Sequence, residues 1–170
     1  MTSPTLLGQG LETRELFAGY PSGLATLGAT VDGADSLMLV STFMVGVSHD
    51  PPLCSVAIQK SSNTWPTLSR APIIGVSVLS TAHAGAVARL GSRNHEGRLA
   101  AVGLAHADSG ALLVEDPVAW FECAPVREVD AGDHLVVLLA LLAGGRTDDA
   151  APLILHRRDW HTTASIADDG

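Results

Sequence analysis

Cysteine is nearly absent from this 170-residue sequence: Cys54 and Cys123 stand far apart, and neither belongs to a CxxC pair. That excludes a disulfide framework and a structural zinc site, and both residues read as small core side chains. Aromatic residues are equally scarce, 4% against 46% apolar in all, so the interior has to be filled by Leu, Val, Ile and Ala. Such a composition suits strands or simple aliphatic helices. Positive charge is short as well, with 10 Lys and Arg against 18 Asp and Glu and a net charge of −8. A phosphate backbone would be repelled by that surface, so nucleic acid is not an expected partner. The longest apolar run, Leu135 to Ala143, has nine residues, far short of the ~20 a membrane helix needs. The opening Met1-Thr-Ser-Pro-Thr-Leu-Leu-Gly lacks the basic start and apolar core of a secretory signal. A soluble, cytoplasmic protein without a membrane partner is expected. Among motifs there is no GxSxG, no Walker loop and no HExxH. The seven histidines lack i, i+2 or i, i+4 pairs, so no metal site is expected.

The length suits one domain, with an expected flexible arm over 1–12, a domain over 13–162 and a flexible tail over 163–170. Gly8-Gln9-Gly10 in the arm lacks the third glycine and the preceding strand of a phosphate loop, and reads as flexible chain. A short helix is expected within 12–19, ended by Tyr20-Pro21. Strands are expected at 24–31, 37–47, 53–59, 73–79, 111–114, 118–129, 135–143 and 153–155, with Asp32-Gly33 as a hairpin turn. A short helix should start near Ser62 to Thr64 and end before Pro72, and 82–90 reads as an alanine-rich helix. Residues 91–103 read as polar and irregular. Seven or eight strands with two or three short helices are not an alternating βα pattern, which argues against a parallel nucleotide-binding sheet and for a mostly antiparallel barrel. The run 135–143 is apolar on both faces and must be covered on both, with a buried helix as the alternative reading.

One polar cluster stands at a strand end where a helix begins: Lys60-Ser61-Ser62-Asn63-Thr64. Three hydroxyls and one ammonium there suit a phosphate, while ordinary helix capping is the simpler explanation of the same residues taken alone.

Taken in order, several segments resemble the flavin reductase-like, FMN-binding split barrel, the small reductase component of two-component flavin monooxygenases. They are Phe17-Ala-Gly-Tyr-Pro-Ser-Gly-Leu-Ala, Met38-Leu-Val-Ser-Thr-Phe, Val47-Ser-His-Asp-Pro-Pro-Leu, Ala57-Ile-Gln-Lys-Ser-Ser-Asn-Thr-Trp, Gly75-Val-Ser-Val-Leu, Trp120-Phe-Glu-Cys and Gly132-Asp-His-Leu-Val-Val. The resemblance runs from about residue 12 to 156. It implies a mostly β, antiparallel split barrel that is dimeric. It also implies a site in which Leu39, Val40, Ser41 and Thr42 lie beside the flavin and Gln59 and Lys60 stand near the ring edge. Ser61, Ser62 and Thr64 would hold the phosphate, with Arg98 pairing to it. His134, in Gly-Asp-His, would be the catalytic residue near the nicotinamide.

By the same resemblance the chain is expected to be an NAD(P)H-dependent flavin reductase. It would use FMN or FAD with NADH or NADPH, work as a homodimer, and supply reduced flavin to a partner monooxygenase. The sequence departs from the family's pattern at Leu37 and Leu39, where Gly and Thr are common, at Leu99 for Phe, at Leu139 for Gly, and at Arg157-Arg158. The leucines at 37, 39 and 139 motivate an alternative: a split-barrel scaffold that binds flavin or an apolar metabolite without nicotinamide turnover. A flavoenzyme that keeps FMN and acts on its own substrate is a third reading.

Overall fold

A computed structural model describes residues 13–165. The expected arm over 1–12, with Gly8-Gln9-Gly10, and residues 166–170 of the expected tail lie outside the described residues. In chain order the elements are α1 (Thr13–Ala18), β1 (Ser22–Gly23), β2 (Ala25–Val31), β3 (Ala34–Val40), β4 (Met44–His49), β5 (Pro52–Gln59), α2 (Trp65–Leu68) and β6 (Ile74–Val78). A 3-10 helix (Thr81–Ala86) runs into α3 (Val87–Leu90). There follow α4 (His95–Leu99), β7 (Leu104–His106), β8 (Leu112–Val114), β9 (Ala119–Ala131), β10 (His134–Arg146), β11 (Ile154–His156) and β12 (Asp159–His161). Among the described residues no helix is long and apolar enough to cross a membrane.

Seven strands form one antiparallel sheet in the order β3-β2-β6-β9-β10-β5-β4. β3 and β4 are therefore its two opposite edges, yet only Ser41, Thr42 and Phe43 separate them in the chain. Three residues reach no further than about 10 Å, so the sheet has to curl until its edges meet at that point. The result is a barrel split along the β3/β4 line. The sequence pattern predicts a single strand over 37–47; the structure breaks it at Ser41–Phe43 because the chain leaves one edge there and joins the other.

Turn chemistry sets the register. Asp32 and Gly33 both have positive φ, 52° and 77°, the backbone a two-residue I′ hairpin needs, and they pair Val31 with Ala34. Gly132, with φ 65°, opens the two-residue turn that makes His134 the first residue of β10, opposite Ala131. The run 135–143 is strand and not helix, extended to Arg146. Its inward residues Val137 and Leu139 are fully buried. Its other face is less covered: Leu142 there is 56% exposed, and Met44, Val45, Val47, Val126 and Val129 on β4 and β9 are similarly open.

Two cores result. One fills the barrel around Leu27, Val56, Ile58, Ile74 and Val137. The other lies under α3 and joins Leu24, Leu37, Leu79, Leu90 and Leu153. Cys54 and Cys123 are free and buried, and burial pushes the Cys123 thiol up to about 12, so both are inert core residues. The expected helix over 82–90 is 3-10 for its first part, since Ser80 and His83 lock its start. The Ser80 backbone N–H donates to His83 Nδ1 (3.1 Å), and His83 Nε2 bonds the Glu115 carbonyl (3.0 Å). The stretch read as irregular, 91–103, contains α4, whose N-terminal Asn94 side chain accepts from the Gly97 N–H at 3.1 Å.

β8 crosses the sheet where Gly28 and Gly75 face each other on β2 and β6. A Cβ on Gly75 would stand 2.5 Å from the Leu112 carbonyl oxygen, and one on Gly28 2.6 Å from the same atom. Gly75→Ala should therefore lower stability by about 1–3 kcal/mol through overpacking, read as a lower urea midpoint with an unchanged slope. Gly85→Ala, with open space around it, should leave the midpoint unchanged or slightly raised.

Candidate functional site

The split leaves a cleft of about 480 Å³ between the β3 edge, the end of β5, the loop before α2 and the segment from α3 to α4. Each wall follows from the topology. β3 pairs only with β2, so the other side of its backbone at Val40 faces the split. β4 pairs with β5 only up to Ser55, which leaves Ala57, Ile58 and Gln59 without a neighbour on that side. Unpaired edge groups of this kind are ready hydrogen-bond donors and acceptors. The Thr42 hydroxyl covers one of them, donating to the Ala57 carbonyl at 2.7 Å. Across β5, the register sets Gln59 directly opposite His134.

Of the sequence-predicted residues, the structure brings Leu39, Val40, Ser41, Thr42, Gln59, Ser61, Ser62, Thr64, Arg98 and His134 to this one cleft. Lys60 does not line it. Its ammonium pairs with Asp130 on β9. Leu37 and Leu139 are also absent from the cleft. Both are fully buried, Leu37 under α3 and Leu139 inside the barrel. Only Leu39 of the three faces the opening.

Capping and ligand chemistry coincide at Ser62. Its Oγ accepts from the Thr64 N–H (3.3 Å) and the Trp65 N–H (3.1 Å), which starts α2. A hydroxyl has two acceptor sites and one donor, so its O–H remains to be donated. The buried Thr64 is similar: its Oγ1 accepts from Arg98 Nη1 at 3.0 Å. Trp65 then holds the loop to the barrel, its Nε1–H donating to Glu128 Oε1 at 2.9 Å.

Arg98 is half-buried, its Nε is shielded from solvent, and that atom has no hydrogen-bond partner. Burial pushes its guanidinium below the ordinary value. An unsatisfied buried donor costs about 1–3 kcal/mol, and the Arg98 side chain borders a cleft with no carboxylate in its lining. At the opposite margin His134 Nδ1 lies 2.7 Å from Asp133 Oδ1. The carboxylate accepts the Nδ1 proton, which fixes the ring, and the His134 hydrogen bond and charge hold Asp133 below the usual carboxylate range. Among the described residues His134 Nε2 has no partner. The cleft thus combines a cationic, hydroxyl-rich end, a strip of free strand edge and an oriented imidazole. It suits an elongated molecule with an anionic terminus and a flat polar-edged body.

Leu90, Gly91, Ser92 and Arg93 also line the cleft and are missed by sequence reasoning. They fall in and beside the stretch read as irregular, where only the Asn94 cap signal marks a helix start.

Comparison with known proteins agrees with this geometry. The family profile described as "Flavin reductase like domain" matches residues 17–164. A flavin reductase of Pseudomonas putida is 33% identical over 154 residues, covering 90% of this chain and 89% of the relative. The FMN reductase (NADH) RutF of Variovorax paradoxus is 28% identical, covering 87% and 86%. Among solved structures, BorF, the flavin reductase component of a bacterial two-component tryptophan halogenase, superimposes with a TM-score of 0.81 at 27% identity, covering 90% of this chain and 97% of that one. Some relatives are longer, and the chain spans 54%, 40% and 41% of three of them.

Arg98 makes one hydrogen bond within the protein, to Thr64, and its Nε makes none. Arg98→Met should accordingly change unfolding free energy by no more than about 1 kcal/mol, in either direction. A urea titration showing a loss above roughly 2 kcal/mol would make Arg98 structural.

Proposed function

The chain belongs to the flavin reductase-like domain family, and we propose that it is an NAD(P)H-dependent flavin reductase that passes reduced FMN or FAD to a partner monooxygenase. The observation that carries this reading is the meeting of Ser41, Gln59, Ser62, Arg98 and His134 in one cleft at the split. The residues present fit a flavin phosphate on a structural ground, since Arg98 keeps a buried donor without an acceptor. The chemistry supplied by a bound flavin is hydride acceptance from a nicotinamide.

What the chain itself does is bind and orient. The hydroxyls of Ser61, Ser62 and Thr64 and the Arg98 guanidinium would hold the phosphate by charge-assisted hydrogen bonds. The free edge at Val40–Ser41 and the Gln59 amide would fix the polar edge of the ring. Leu39, the one leucine of the three that faces the cleft, would lie against its apolar part. His134, steadied through Nδ1 by Asp133, would present Nε2 to the nicotinamide and set its angle of approach. No protein acid or base is needed, which agrees with the absence of a hydrolytic or metal motif.

The alternative of a passive scaffold loses most of its support. Leu37, Leu39 and Leu139 motivate it, and Leu37 and Leu139 are packed in cores away from the cleft while Leu39 faces it. A homodimer is part of the proposal: Met44, Val45, Val126, Val129 and Leu142 form an open apolar face that a second copy would cover. A cytoplasmic location, where nicotinamide and an oxygenase are at hand, belongs to the same reading.

Purified protein should oxidise NADH or NADPH, followed by absorbance, only when FMN or FAD is present. Absence of turnover with every pairing would reject the activity. His134→Ala should lower kcat/KM for the nicotinamide about tenfold or more, a barrier change of ~1.4 kcal/mol, with flavin affinity within about twofold. Equal loss of both would mark a structural residue. Leu142→Glu should shift the protein from dimer to monomer in sedimentation, and a wild-type monomer would remove the dimer from the proposal.

A further inference from the structure

Two arginines line the cleft, and Arg98 is only one of them. Arg93 lines it too, is exposed, and has no carboxylate within ion-pair distance among the described residues. The lining holds no Asp or Glu at all, in a chain whose net charge is −8. Two uncompensated guanidiniums in such a protein call for a ligand group of matching charge.

The backbone holds the pair together. Arg93 precedes Asn94, the residue that caps α4, and the Asn94 carbonyl accepts the Arg98 N–H at 3.0 Å. The start of α4 therefore sets the backbone spacing of the two arginines. The segment is anchored against β3 as well, since a Cβ on Gly91 would lie 3.8 Å from Leu39. Arg98 has given one donor to Thr64, and its buried Nε–H has no partner. All five donors of Arg93 are free of partners among the described residues.

We infer that Arg93 makes this cleft prefer FMN over FAD and riboflavin by binding the terminal phosphate monoester. This rests on the flavin reading proposed above. A phosphate monoester carries about −1.5 to −2 at pH 7, which balances two guanidiniums. Each phosphate in the pyrophosphate of FAD carries roughly one negative charge and offers fewer free oxygens to a bidentate fork. Riboflavin offers neither. The adenylate of FAD would also have to leave the cleft past the exposed Arg93 side chain.

The test is fluorescence-quenching titration of riboflavin, FMN and FAD with wild type, Arg93→Gln and Arg93→Lys. Wild type should bind FMN much more than about tenfold tighter than riboflavin, since Arg98 and the hydroxyls contribute too, and several-fold tighter than FAD. Arg93→Gln should weaken FMN about tenfold, leave riboflavin within about twofold and remove the preference over FAD, with Arg93→Lys intermediate. Because Arg93 is exposed and unpaired, its variants should keep the wild-type urea midpoint, which controls for folding. Flavin binding with equal affinities across the three ligands, or a changed NADPH to NADH ratio with FMN affinity intact, would overturn the assignment of Arg93. Wild type that binds none of the three flavins would overturn the flavin reading itself.

Discussion

The three-residue crossing from Val40 to Met44 is the constraint from which the rest of this structure follows. It ties together the two edges of a seven-stranded sheet, so the sheet must close on itself near Ser41–Phe43 and is free to part further along. An open sheet edge is ordinarily a liability. Here the parted edges become useful, because their unpaired backbone groups face a cleft and not bulk solvent. The Thr42 hydroxyl, bound to the Ala57 carbonyl across the gap, shows how the crossing is held: a side chain stands in for a ladder bond that the geometry has removed. The position where hydrophobic patterning is most continuous, 37–47, is thus where the fold departs from it.

The walls of the cleft divide the work by rigidity. The strand side is fixed by the barrel core and by the Gly132 turn, which sets His134 opposite Gln59 with no freedom of register. The helical side depends on the second core under α3 and on a small set of hydrogen bonds: Ser62 starting α2, Trp65 reaching Glu128, and Asn94 capping α4. A sheet positions a ring well because its backbone moves little, whereas a phosphate tolerates approximate placement as long as enough donors converge on it. The arrangement assigns each part of an elongated ligand to the wall suited to it.

Much of this was legible in the sequence. The strand at 53–59 and the Asp32-Gly33 turn could be located because they rest on local stereochemistry. The hydroxyl cluster at 61–64 could be found for the same reason. What could not be read were features decided by distant contacts. Whether a leucine faces the cleft or a core depends on which strand lies across from it, so Leu37, Leu39 and Leu139 look alike in sequence and part company in the fold. Lys60 follows the last residue of β5, and its pairing with Asp130 depends on β9, a distant strand. Arg93 was invisible because a polar segment of low periodicity, 91–103, hides a five-residue helix whose only local mark is Asn94.

The electrostatics of the site connect these points. A chain with an excess of acidic residues has kept every carboxylate out of the cleft lining and admitted two arginines and one histidine. Burying the Arg98 guanidinium with one donor unsatisfied is unfavourable for the ligand-free fold, and among the described residues no group accepts from that donor. Under the proposed function the compensation comes from outside, as an acceptor that enters the cleft. A ligand that binds only the folded chain stabilises it by RT ln(1 + [L]/Kd), so the strain left at Arg98 and the affinity for an anionic terminus are two views of one free energy. The same barrel without that anion is complete as architecture and incomplete as a set of hydrogen bonds, and that difference separates this cleft from a cavity left over by packing.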